Sequence, residues 1–115
     1  MSFILKWLRP QTSFRIGLRP HRTVQLDLGF DAAYERVLAE IEGTLGANVY
    51  VDDRAGKIIE AGFGLINNER VRTTLEEIDT THTAVRIEAF YLPGAAIPEK
   101  SSAVEALASA LVTGG

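Results

Sequence analysis

Arg70-Val71-Arg72-Thr73-Thr74-Leu75-Glu76-Glu77-Ile78, then Asp79-Thr80-Thr81-His82, then Thr83-Ala84-Val85-Arg86-Ile87-Glu88-Ala89-Phe90-Tyr91, is the stretch that decides the fold. Each outer segment alternates: Val71, Thr73 and Leu75 share one face of the first, and Val85, Ile87 and Ala89 share one face of the second. Period-two alternation in β-branched residues is the mark of a half-buried strand. The polar quartet between them is turn chemistry, so the two segments form an antiparallel hairpin. Leu75 must lie on the face of Val85 and Ile87, which predicts a loop with an odd number of residues. A two-residue Thr80-Thr81 turn on an unbroken ladder would set Leu75 opposite Arg86 and defeat the assignment.

Working outward, Lys57 to Ile66 reads as the preceding strand, with Ile59, Ala61, Phe63 and Leu65 on its apolar face and Asn67-Asn68 as the turn after it. Asn48 to Asp52 is one strand earlier, with Val49 and Val51 on one face and Asp53-Arg54-Ala55-Gly56 turning the chain. Thr23 to Leu28 is the first strand, with Val24, Leu26 and Leu28 inward and Gly29 ending it. Between them, Tyr34, Val37, Leu38, Ile41 and Leu45 recur at three- and four-residue steps and make the apolar stripe of a helix, which Asp31 is placed to cap. Gly43 and Gly46 mark its exit. After the loop 92–98, Ser102-Ala103-Val104-Glu105 spells a capping box for a second helix striped by Val104, Leu107, Ala108, Leu111 and Val112.

The element order is β-α-β-β-β-β-α. Short turns make the strands after the first helix antiparallel neighbours, and two amphipathic helices need an apolar sheet face to cover. The expected fold is therefore α+β, a curved antiparallel sheet with both helices on one face. Over residues 22–113 this order resembles the half-repeat of TATA-binding-protein-like folds and a trimmed helix-grip fold. The likeness concerns architecture alone, and fold does not fix function.

The chain has 115 residues, 46% hydrophobic and 23% charged, without cysteine. That is one domain's length, and the missing cysteines exclude disulfides, thiolate nucleophiles and cysteine-bound metal centres. No apolar run approaches the about 18 residues of a membrane span. Phe3-Ile4-Leu5-Lys6-Trp7-Leu8 is too short for a signal-peptide core, so a cytoplasmic protein is expected. Residues 1–22 form an N-terminal arm with five bases and no acid, and residues 23–115, a single α+β domain, hold seven bases and fifteen acids, a net charge of −8. An acidic body argues against nucleic acid as ligand. Pro10 and Pro20 punctuate the arm, and Ser13 to Leu18 alternates like a strand.

Catalytic constellations are not found. His21 and His82 each lack a neighbouring nucleophile or second ligand, and neither Asp52-Asp53 nor Glu76-Glu77-Asp79 matches a calcium loop. Glu60 and Glu88 fall on one face with Arg72 and Arg86, the pattern of cross-strand ion pairs. No cofactor, no metal and no enzymatic activity are expected.

Interaction is the remaining class. The face away from the helices would carry Gln25, Asp27, Tyr50, Glu60, Gly62, Gly64, Arg72, Thr74, Arg86, Glu88 and Phe90. Gly62 and Gly64 bare the backbone there, while Tyr50 and Phe90 add aromatic surface. The arm gathers Phe3, Leu5, Trp7 and Leu8 beside its positive charges, and such patches mark interfaces. These residues suggest a non-enzymatic domain that self-associates as a homodimer through the open face, a strand edge or the arm. A protein partner or a peripheral membrane contact is an alternative role for the arm. A second class is a helix-grip-like binder of a small apolar ligand, its cavity lined by Tyr34, Phe63, Leu75, Ile87 and Leu107.

Overall fold

A computed structural model describes residues 20–64, 69–91, 98 and 100–113. Strand β1 (His21–Leu26) is followed by helix α1 (Phe30–Glu40), which continues as a π-helical turn (Ile41–Leu45). Strands β2 (Asn48–Asp53), β3 (Ile58–Gly62), β4 (Arg70–Asp79) and β5 (His82–Phe90) come next, and helix α2 (Ser102–Thr113) closes the order. The strands form one antiparallel sheet in the order β1-β5-β4-β3-β2. This is the expected α+β architecture.

One core lies between sheet and helices. The sheet supplies Leu26, Ile59, Ala61, Val71, Leu75, Val85, Ile87 and Ala89. Helix α1 and its continuation supply Ala33, Tyr34, Val37 and Ile41, and α2 supplies Val104, Leu107 and Leu111. Both helices therefore cover the same face, as the two apolar stripes required. Two buried hydroxyls in the sheet are satisfied: Thr73 donates to the Ile59 carbonyl at 3.3 Å and Thr83 to the Leu28 carbonyl at 2.9 Å.

The β4–β5 hairpin departs from the expected loop and keeps the expected faces. Asp79 pairs with His82, so Thr80-Thr81 is a two-residue turn after all. The ladder is broken, however: Glu77 pairs with Thr83, and Ile78 is an extra residue between the two pairs. That bulge restores the parity that the even loop would reverse, and Leu75 faces Val85. Ile78 is 50% exposed.

A second bulge corrects the reading of β2. Val49 pairs with Ala61 and Val51 with Glu60, leaving Tyr50 unpaired between them. Val49 and Val51 therefore do not share a face. Val51 joins Glu60 on the open side, and Asp52, opposite Ile59, turns toward the helices.

Several boundaries also move. Strand β1 starts at His21, taking two residues from the expected arm, and ends at Leu26, two residues before the expected Leu28. Strand β3 stops at Gly62, where the chain reaches Gly64 at φ +86°, a left-handed conformation suited to glycine. Phe63 still packs against the core, whereas Leu65 and Asn67-Asn68 lie outside the described residues. Asp31 does not cap α1. Gly29 stands at the N-cap, because a Cβ there would meet the Thr80 carbonyl oxygen at 2.6 Å, too close for any capping side chain. At α2 the cap is Ser101, not Ser102: the Val104 N–H donates to Ser101 Oγ at 3.2 Å. Ser101 is held one position earlier by donating to Glu69 at 2.9 Å, and Glu105 is drawn instead to Arg22 at 2.8 Å. Leu38 and Leu45 are half-buried, and Val112 is 60% exposed, off the stripe.

Candidate interaction surfaces

The register lays out the open face in rows. One row runs His21, Glu88, Arg72, Glu60, Val51 from β1 across to β2, and the next runs Thr23, Arg86, Thr74, Ile58, Asp53. Charge alternates along the first row. Arg72 Nε donates to Glu60 Oε2 at 2.7 Å, and Arg86 Nε lies 4.0 Å from Glu88 Oε1. The cross-strand ion pair expected for Glu60 is thus formed, whereas Glu88 meets Arg86 of its own strand. Exposed pairs of this kind contribute about 0–1 kcal/mol each, so they order the face more than they stabilise it.

At one end of the face the arginines lie on aromatic rings. Arg72 sits 4.3 Å above the Phe90 ring, and Arg70 sits 5.1 Å above the Tyr50 ring. Tyr50 remains 48% exposed. Its ring passes beside Gly62, where an added Cβ would be 3.6 Å from both Tyr50 and Arg70. That is ordinary contact, so glycine there is not demanded by space. Of the residues singled out in the sequence for this surface, Tyr50, Gly62 and Phe90 come together. Gly64 lies just past the strand. Phe3, Leu5, Trp7 and Leu8 lie outside the described residues. Arg70 was not anticipated, although its parity with Arg72 is the signal that could have found it.

The sheet's two outer strands form the other surface. Among the described residues strand β1 bonds only to β5, one residue against one, from His21 opposite Glu88 to Leu26 opposite Thr83. Strand β2 carries the Tyr50 bulge and ends in Asp52-Asp53.

Polar clusters fasten the two ends of the sheet. Tyr34, fully buried, donates from its hydroxyl to Asp52 Oδ1 at 2.5 Å, and burial together with this carboxylate raises its pKa. Arg54, in the β2–β3 turn, stacks 4.5 Å above the Tyr34 ring and pairs with Glu35 and with Asp31. His82 bridges two strands' ends: its Nδ1 is 2.9 Å from Asp79 Oδ1 and its Nε2 is 3.5 Å from Asp27 Oδ1. The Asp79 bond holds the imidazole pKa above its ordinary value. The Thr81 N–H and His82 hold the Asp79 carboxyl down at about 2. At the opposite end Tyr91 donates to Glu69 at 2.5 Å, and burial first, then this acceptor, pushes its pKa up to about 12. Periodicity reveals none of these clusters, because each joins residues far apart in sequence.

Among the described residues no three His, Asp or Glu side chains converge as a metal site. No helix there is long and apolar enough to cross a membrane. The residues named for an apolar-ligand cavity are placed together: Tyr34, Leu75, Ile87 and Leu107 are buried members of the one core, and Phe63 packs against it.

No protein-family model matches the chain, and no curated protein matches it. Among solved structures the chain is similar to an uncharacterised protein from Bacillus thuringiensis determined by a structural genomics consortium. The two are 10% identical, with 82% of this chain and 87% of that one aligned, at a TM-score of 0.47.

Proposed function

We propose that this chain is a non-enzymatic interaction domain that self-associates as a homodimer. One observation carries the reading: the five-stranded sheet is open, with both helices on one face and a regular outer strand, β1, that bonds to β5 alone among the described residues. Open edges and uncovered faces are surfaces that proteins either protect or use. The residue types on the open face fit use, since tyrosine, phenylalanine and arginine are enriched at interfaces.

The test is mass in solution by light scattering across a dilution series. The expected result is twice the 12.6 kDa protomer, falling toward one protomer on dilution. A single protomer mass at every concentration overturns the proposal. Native mass spectrometry on the same sample adds a second way to lose: a protomer carrying a small apolar molecule would favour ligand binding instead.

A further inference from the structure

The two edges of the sheet are not equivalent. Bulges and terminal charges are devices that keep an edge strand from pairing with another chain, and β2 has both. Strand β1 has no bulge, and its one charged residue, Arg22, is paired with Glu105 of α2. Its six residues, His21-Arg22-Thr23-Val24-Gln25-Leu26, form an unbroken ladder with β5. The Ala89 N–H donates to the Pro20 carbonyl at 3.0 Å, which fixes the phase of that ladder. Backbone groups alternate in direction along an antiparallel strand. Those of Arg22, Val24 and Leu26 therefore face β5, and those of His21, Thr23 and Gln25 face outward. Side-chain parity is equally fixed: Leu26 is buried on the helix side and Val24 packs against the core, while Thr23 and Gln25 are exposed.

We propose that β1 pairs antiparallel with β1 of a second copy, about a two-fold axis through Val24. This rests on the self-association proposed above and names its surface. The strand is self-complementary in that register. Thr23 stands opposite Gln25 of the second copy, so outward-facing backbone meets outward-facing backbone. Arg22 stands opposite Leu26 on the helix side, and His21 stands opposite Asp27, a base against an acid. A one-residue slip would set outward backbone groups against inward ones and reverse the faces. An axis through Thr23 or Gln25 keeps the faces but separates His21 from Asp27. An axis through Arg22 sets two guanidiniums against each other. The product is a ten-stranded sheet with all four helices on one side and one continuous open face on the other.

The chain has no cysteine, so one introduced thiol reports on the axis. Across an antiparallel pair of this type the Val24 Cα atoms would be about 4.5 Å apart, inside the range a disulfide spans. Val24→Cys is expected to form a covalent dimer under mild oxidation, and Tyr50→Cys, on the other edge, is not. Thr23→Pro removes an N–H that serves no bond of the ladder with β5, so the fold should survive by circular dichroism. Dimerisation should weaken roughly 30-fold, for one bond lost on each side of the axis. A dimer that ignores Thr23→Pro and leaves Val24→Cys reduced overturns the β1 edge while self-association stands. A monomer at all concentrations overturns both. A monomer whose Thr23 and Gln25 amides resist hydrogen exchange also overturns the inference, and assigns the edge to residues 1–19 of the same chain.

Discussion

Strands β2 and β4 each carry one extra residue, and the two bulges act in opposite directions. At Ile78 the extra residue preserves the alternation that the sequence displays. The even-numbered turn would have reversed the faces, and the bulge reverses them back, so Leu75 meets Val85. At Tyr50 the extra residue breaks the alternation. Val51 crosses to the open face and Asp52 crosses to the helices, where the Tyr34 hydroxyl receives it. Alternation in a sequence therefore reports burial only as far as the next bulge. Neither tyrosine nor isoleucine announces that it will be the residue left out.

The comparison can be broken first at Leu75. If the Ile78 bulge holds the faces in place, Leu75→Ala or Ile87→Ala empties a buried site and should cost about 2–5 kcal/mol. Ile78→Ala, at a half-exposed site, should stay within about 0.5 kcal/mol. Chemical denaturation measures both, and equal losses would mean that the bulge lies elsewhere.

The turn that makes this bulge necessary is also held from outside. A methyl group at Gly29 would be 2.6 Å from the Thr80 carbonyl oxygen, a backbone atom that cannot swing aside. Gly29→Ala should therefore cost about 1–3 kcal/mol through forced displacement. A neutral effect on the melting temperature would show the turn free to move.

At the other bulge the sharper test is Tyr34→Phe. It deletes the hydroxyl that meets Asp52 and should cost about 1.5 kcal/mol, the lower end for a bond to a charged acceptor, since the Asp52 side of it reaches water. Asp52→Asn should be milder. If Tyr34→Phe costs nothing, Asp52 does not face the helices in solution and β2 is regular.

The smallest effect belongs to His82. Its folded pKa is raised above 6.5, chiefly by the Asp79 bond, so the stability it contributes is fully present below pH 6.5 and is lost as the pH climbs through the raised value. Asp79 works in the opposite window. Its contribution is present above about 3.8, the unfolded value, and fades as the pH falls through about 2. Titrating the imidazole by NMR should show the His82 pKa dropping toward 6.5 in Asp79→Asn. An unmoved value would mean that the turn's carboxylate and imidazole do not meet.

What could be read in the sequence was whatever repeats with a short period. The stripes of α1 and α2 and the inward faces of β3, β4 and β5 follow from spacing, and with them the element order and the single covered face. What escaped was set by contacts between distant residues. Gly29 displaced Asp31 from the cap because the β4–β5 turn leans on it. Ser101 displaced Ser102 because Glu69 holds its hydroxyl. On the open face, parity places Gly62 and Phe90. Tyr50 is the residue left out at the bulge, and no period encodes its contact with Arg70.

The strand order has a kinetic consequence. Of the five described strands β1 is synthesised first, and its neighbour in the sheet, β5, is synthesised last. Strands β2 to β5 can zip up in sequence through local turns as each emerges, whereas β1 closes the largest loop in the fold, with His21 waiting for Glu88. Non-local pairings of this kind slow folding. On the ribosome, β1 would therefore be held as an unpaired segment until nearly the whole domain has been made, and its docking against β5 would complete the sheet before α2 closes the core.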